Sequence, residues 1–266
     1  MQGFRASSPF DSVIQPGFVN NGSYHFYAAD SFPTIHPIHW LTSHFAVGGW
    51  SPLQRLSGML TAHMTSIAPR SGFTWHPHRG LEIYTWMLEG TLYHEDTTGG
   101  KGEIQTGELQ RMFSGHYIEH QELNLWDEPA RVIQIWYVAD PSSINLDPHY
   151  QQVKSDKVPT RKIGDATIYQ LIGDGSPMEQ HMEGRLTATT VQPGGATEIE
   201  APRPGEDLFL YVTDGNGQAE HPYSTNTLGQ YDVILARPDV DTVKIEAADD
   251  EPLHFMSFYL PEFMPN

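Results

Sequence analysis

Short apolar runs separated by glycine and proline dominate this chain. Some alternate apolar and polar residues with period two, and others are continuous stretches rich in β-branched and aromatic side chains, so both kinds read as strands. The pattern predicts strands over Met59–Ile67, Leu81–Leu88, Arg131–Val138, Leu186–Val191, Leu208–Val212, Tyr231–Ala236, Thr242–Glu246 and Leu253–Leu260. Helical periodicity is scarce. The polar stretch D-P-H-Y-Q-Q-V-K-S predicts one short helix over Pro148–Ser155. Because that stretch lies between strand patterns, it also marks a boundary. Residues 1–140 are expected to form one domain, 141–159 a linker and 160–266 a second domain.

An internal repeat supports two units. L-T-A-H-M-T-S-I-A-P-R-S-G from Leu60 echoes L-T-A-T-T-V-Q-P-G-G from Leu186. L-E-I-Y-T-W-M-L from Leu81 matches L-F-L-Y-V-T from Leu208, with Gly90 and Gly215 at their ends. Gly107 and Gly229 then each precede a further strand. The expected fold class is all-β: a duplicated antiparallel barrel or jelly roll with few short helices.

Composition narrows the chemistry. The 266 residues suit two units of about 130 each. There is no cysteine, which removes thiolate catalysis, disulfides and sulfur-ligated metal sites. Any metal must be held by nitrogen and oxygen. The net charge of −18 repels phosphate backbones and anionic membranes, so direct binding to nucleic acid or membrane is not expected. The amino-terminal stretch lacks a basic start followed by an apolar run, and no segment approaches the roughly 18 apolar residues of a membrane span. A soluble cytoplasmic protein is expected.

Within this frame one stretch stands out: F-T-W-H-P-H-R-G-L-E from Phe73, with H-Q-E at His120 to Glu122 downstream. Alternate residues of a strand project to one face. His76 and His78 would therefore point inward together, and His120 and Glu122 would do the same from a second strand. Three neutral imidazoles and a carboxylate suit a divalent first-row metal with open positions for water or substrate. Iron(II) is the first choice; copper, nickel, cobalt, manganese and zinc accept the same ligands. Glu82 is a rival carboxylate that spacing does not rank against Glu122. His63, His94 and His116 read as surface or hydrogen-bonded residues, His116 with a closer tie because it sits in the turn leading to His120. The repeat places no ligand set at the corresponding second-half positions, around Ile199–Pro202 and Thr242–Lys244. A metal site confined to the first half is expected.

These motifs, with L-E-G-T-L-Y-H-E-D from Leu88, G-E-L-Q-R-M-F-S-G from Gly107, V-I-Q-I-W from Val132 and D-P-H-Y-Q-Q-V-K-S-D-K-V-P from Asp147, resemble the pirin family of two-domain cupins. The likeness spans roughly Gly72 to Pro159. It implies that His76, His78, His120 and Glu122 hold an iron, which ranks Glu122 above Glu82, and that the second cupin domain lacks a metal. It also implies either a quercetinase-type dioxygenase acting on a flavonol or a non-catalytic, redox-sensing regulator with a protein partner. A third reading is a cupin that isomerises or hydrolyses a small polar substrate. G-H-Y-I-E-H stands here where the family usually has G-R-G-I-x-H, so His116 replaces an arginine and Tyr117 a glycine. For the enzyme, Glu122 is the candidate base, and Phe73, Trp75, Met112 and His116 are candidate pocket walls.

Overall fold

The structure is a computed structural model and describes residues 23–222, 224–239 and 242–263; the stretch read for a leader lies outside these residues. In chain order the first half runs β1 (Tyr24–Tyr27), β2 (Thr34–Ile38), β3 (Leu41–Val47), β4 (Met59–Ile67), β5 (Ser71–His78), β6 (Leu81–Glu89), β7 (Thr91–Asp96), β8 (Lys101–Gln105), β9 (Leu109–Phe113), β10 (Ile118–Asn124), β11 (Ala130–Val138) and β12 (His149–Val153). The second half runs β13 (Thr160–Ile163), β14 (Ala166–Ile172), β15 (Arg185–Val191), β16 (Ala196–Glu198), β17 (Glu206–Asp214), β18 (Gly217–His221), β19 (Ser224–Leu228), β20 (Val233–Ala236), β21 (Lys244–Ala247) and β22 (Leu253–Pro261). Among the described residues the only helical turns are two 3₁₀ segments, Ala29–Ser31 and Ser155–Lys157.

Each half is a sandwich of a seven-stranded and a four-stranded sheet. The large sheets read β12-β9-β6-β11-β4-β3-β2 and β1-β20-β17-β22-β15-β14-β13, and the small ones β5-β10-β7-β8 and β16-β21-β18-β19. Laid side by side, the two orders match strand for strand, so the duplication heard in the sequence is a duplication of topology. One exchange cuts across it. β1 precedes the first barrel but pairs with β20 in the second, and β12 precedes the second barrel but pairs with β9 in the first. The strand pairing therefore does not follow the expected boundaries: part of 141–159 is a strand of the first sheet, and part of 1–140 a strand of the second.

The expected helix over Pro148–Ser155 is thus corrected to β12, followed by a single 3₁₀ turn. The open edge of β9 supplies the reason. His149 to Val153 pair with Phe113 to Leu109, and Gln152 reaches the Glu103 carbonyl at 2.8 Å and the Glu108 carboxylate at 2.7 Å. A ladder available only in three dimensions outweighs weak local helix propensity.

Burial explains the two styles of strand. β6 and β17 are buried almost throughout because their sheets face a barrel interior on one side and the opposite barrel on the other. Tyr84, Trp86, Ile133 and Tyr137 pack there with Phe209, Tyr211, Met256 and Phe258 in one shared core. β7, β10 and β18 alternate strictly, since the small sheets have one solvated face.

Candidate metal centre

β5 lies at the edge of its sheet, where Pro77 can lack a donor without breaking a ladder on both sides. Its partner is β10. His76 stands opposite His120 and His78 opposite Ile118, and a bulge separates His120 from Glu122. The rings of His76 and His120 are 4.3 Å apart, and His78 lies 5.0 Å from each. One nitrogen from each of the three lies within 4.8 Å of the others. The His76 Nδ1–H donates to the Thr74 carbonyl at 2.8 Å, which leaves Nε2 as the lone-pair nitrogen.

Electrostatics favour the neutral form of two of these rings. Burial, reinforced by neighbouring His76, pushes His78 down to about 4. Burial and the surrounding histidines push His120 lower, to about 2. Both ring nitrogens of His120, Nε2 of His78 and Nδ1 of His94 are buried without a hydrogen-bond partner. Buried polar atoms left unmatched are costly, and neutral imidazoles aimed together are what a borderline divalent cation requires. The residues fit the group.

Glu122 is placed beside this trio rather than within it. Its two carboxylate oxygens accept from Gln110 Nε2 at 3.2 Å and Gln134 Nε2 at 2.9 Å, and the Trp136 indole N–H donates to Gln134 Oε1 at 3.0 Å. Trp136 also meets the His78 ring edge-on at 5.1 Å. A second group of ligating atoms within 4.8 Å joins Glu122 to His120 and His94, so His120 is shared by both groups. Glu82 is fully engaged elsewhere. It accepts from the buried Arg111 at 2.5 Å and from Tyr84 at 2.9 Å, and it takes the backbone N–H groups of His181 and Met182 from the second half. It ties the barrels together, which separates it from the ligand question.

His94 is the residue that local reading undervalued. It is fully buried, stacked on Tyr150 at 4.6 Å, and bonded through Nε2 to Asp96 at 3.0 Å. Asp96 is buried, yet its bonds from His94 and Thr98 hold it below the usual carboxylate range. H-E-D at His94 has the same i, i+2 spacing as the ligand motifs, and that was the available signal. His63 is half-buried on the facing sheet; burial pushes it to about 4, and Glu122 is near enough to oppose the shift.

The expected pocket walls separate. Phe73 packs on Trp40 and lies 6.3 Å from His76. Trp75, adjacent in sequence to His76, is turned outward and 46% exposed. Met112 is core, against Ile83 and Ile118. His116 sits out on its turn against the Leu146 carbonyl. Trp136, absent from the sequence-based set, is the large apolar side chain next to a candidate ligand.

Two barrels, one with inward imidazoles and a carboxylate able to hold a divalent metal, define a two-domain cupin. The pirin family model matches residues 50–137. A Zymomonas mobilis protein whose name carries a provisional quercetin 2,3-dioxygenase assignment is 31% identical over 70% of this chain and 76% of its own length. Human pirin is 29% identical over 70% of this chain. The chain belongs to the pirin family. It spans about two thirds, 65%, of the tomato pirin-like protein and of human pirin. Solved structures share the fold: bacterial pirin YhhW from Escherichia coli, in complex with nickel(II), at a TM-score of 0.73 and 22% identity over 90% of this chain and 99% of its own, and a quercetin 2,3-dioxygenase from Acinetobacter baumannii at 0.76 and 18% over 91% and 80%. Among the described residues no helix is long and apolar enough to cross a membrane.

Proposed function

We propose that this chain is a metal-dependent dioxygenase that opens a flavonol ring, with iron(II) held by His76, His78, His120 and Glu122. The observation that carries this reading is the cluster of buried, partnerless imidazole nitrogens beside a carboxylate, found among the described residues in one barrel only. The quercetin dioxygenase names among its relatives supply the substrate class. A metal bound there would act as Lewis acid toward the 3-hydroxyl and 4-carbonyl of a flavonol and couple the substrate to dioxygen. The protein's own part is positional. Gln110 and Gln134 hold the Glu122 carboxylate from both sides, so it meets the incoming hydroxyl in a fixed orientation and accepts its proton. Trp136 and Phe73 flank the histidines with apolar surface against which a flat ring can lie. Both oxygens of O₂ enter the ring-opened ester and one ring carbon leaves as carbon monoxide.

The test begins with metal content. The purified chain should carry close to one transition metal, and His120→Ala should lose it while keeping its fold. Iron, copper, nickel, cobalt and manganese forms are then incubated aerobically with quercetin. Bleaching with equimolar oxygen uptake in at least one form is expected; no turnover in any form would remove the dioxygenase reading and leave the metal centre standing.

A further inference from the structure

The duplication provides a measure of what each copy lacks. In the first half the turn before β9 is closed by Glu108 N–H to the Gln105 carbonyl at 2.9 Å and Gln105 N–H to the Glu108 carboxylate at 3.0 Å. Gly107 N–H donates to Met87 O, and Met87 N–H to Glu108 O. In the second half Gly229 to Asp232 repeat every bond, with Tyr231 N–H donating to Val212 O and Val212 N–H to Asp232 O. Tyr231 is therefore the counterpart of Gly107, two places from where matching the glycines had set it. The backbones agree as well, with φ of 77° at Gly107 and 78° at Tyr231. A tyrosine in this left-handed region is uncommon.

Its ring has a definite berth. Tyr231 stacks on His44 with centroids 4.0 Å apart and planes 10° from parallel. His44 pairs with Met64 as Tyr169 pairs with Ala188, so the corresponding platform beside Gly107 is Tyr169. Trp86 meets Tyr169 only at a tilt, with centroids 6.3 Å apart, and Gly107 has no side chain to stack on it. Instead a cleft of about 320 Å³ opens between the barrels, with Trp86 and Met256 among its apolar walls and Arg131, Asp214 and His254 among its polar ones. A Cβ placed on Gly107 would touch only Ser155, at an ordinary 3.6 Å. The charges acting on the Tyr231 phenol are those of Arg131 and Asp214, and the same two side chains line the empty copy. Its volume lies at the lower end of the roughly 300–1,000 Å³ of small-molecule pockets.

We infer that this inter-barrel cleft is a second small-molecule site, separate from the metal centre, which takes a planar hydroxyaromatic ring stacked on Tyr169 in the place that Tyr231 fills in the other copy. The inference does not rest on the dioxygenase reading.

p-Cresol, the tyrosine side chain without its backbone, is the probe, and calorimetric titration of the full chain is the measurement. One saturable site is expected in both metal-free and metal-loaded protein. Binding should survive His120→Ala, weaken by about five-fold or more in Tyr169→Ala through loss of the stack, and vanish in Gly107→Tyr, whose own ring fills the cleft. Tyr169→Ala keeps the test decisive where Gly107→Tyr does not fold. Absence of saturable binding to the natural chain overturns the inference. So does binding that is lost in His120→Ala but kept in Tyr169→Ala, which would put the phenol at the metal centre.

Discussion

The two barrels share a strand order and differ in what fills them. The pairing registers set Thr85 and Gln110 of the first against Leu210 and Ile234 of the second. They likewise set His94 and Glu122 against Ala219 and Ile245. Ile199 N–H bonds to the Val243 carbonyl where His76 faces His120. Ile199, Val243, Ile245 and Ala219 all belong to one apolar core. The second barrel is thus plugged where the first is polar. Large sheets, the turn glycines Gly90 and Gly215 and exchanged edge strands are common to both, so the fold depends on these. The interior of one copy was free to carry chemistry because the other copy and the shared inter-barrel core supply apolar burial, at about 25 cal/mol per Å².

The sharpest way to break this comparison is to exchange an interior residue. Ile245→Glu would bury a carboxylate with no counterpart of Gln110 to receive it. It should cost on the order of 3–5 kcal/mol, seen as a lowered urea midpoint; a variant as stable as the natural chain would mean that the second interior tolerates charge and that the contrast has no energetic content. Gln134→Leu addresses the first barrel. It frees one Glu122 oxygen and strands the Trp136 indole N–H, so metal affinity in a chelator competition should fall by about 10–100-fold. Unchanged affinity would show that Glu122 needs no such support.

Acid should separate the barrels next. His63 and His78 titrate near 4 in the folded chain against about 6.5 when unfolded. Between those values the unfolded chain binds more protons, so stability of the metal-free protein is full above about pH 6.5 and falls as pH drops toward 4. His63→Gln should flatten the urea midpoint against pH by an amount of order 1 kcal/mol, whereas an identical slope would acquit His63. The smallest effect belongs to Tyr231→Gly. Relief of its left-handed backbone and loss of its stack on His44 oppose each other at about 1 kcal/mol apiece. Thermal stability should move little, while a second p-cresol site appears; a large destabilisation would show that the ring, not the backbone, dominates there.

Much of this was legible in local pattern. β4 has the bounds its alternation predicted, and β6, β11, β15 and β22 lie within two residues of theirs, because strand periodicity is a property of neighbouring residues. H-P-H put His76 and His78 on one face of β5 for the same reason, and the pairing of β5 with β10 then set His120 opposite His76. What escaped were other features set by partners distant in the chain. β12 reads as a helix until the edge of β9 is beside it. His94 looks like one histidine among fourteen until Tyr150 and Asp96 enclose it. By spacing Glu82 and Glu122 are equal candidates; the family resemblance favours Glu122, and Arg111 with the backbone of His181 and Met182 accounts for Glu82.

The order of residues alone fixed the period-two faces, the duplication and which strands carry imidazoles, since each depends on chemistry repeated over short distances. Tertiary structure alone decided which half each edge strand joins, which partners engage Glu82 and Glu122, and that a glycine in one copy leaves open the space a tyrosine closes in the other. Those outcomes depend on pairing and burial between residues tens to hundreds of positions apart, where no local pattern carries the information.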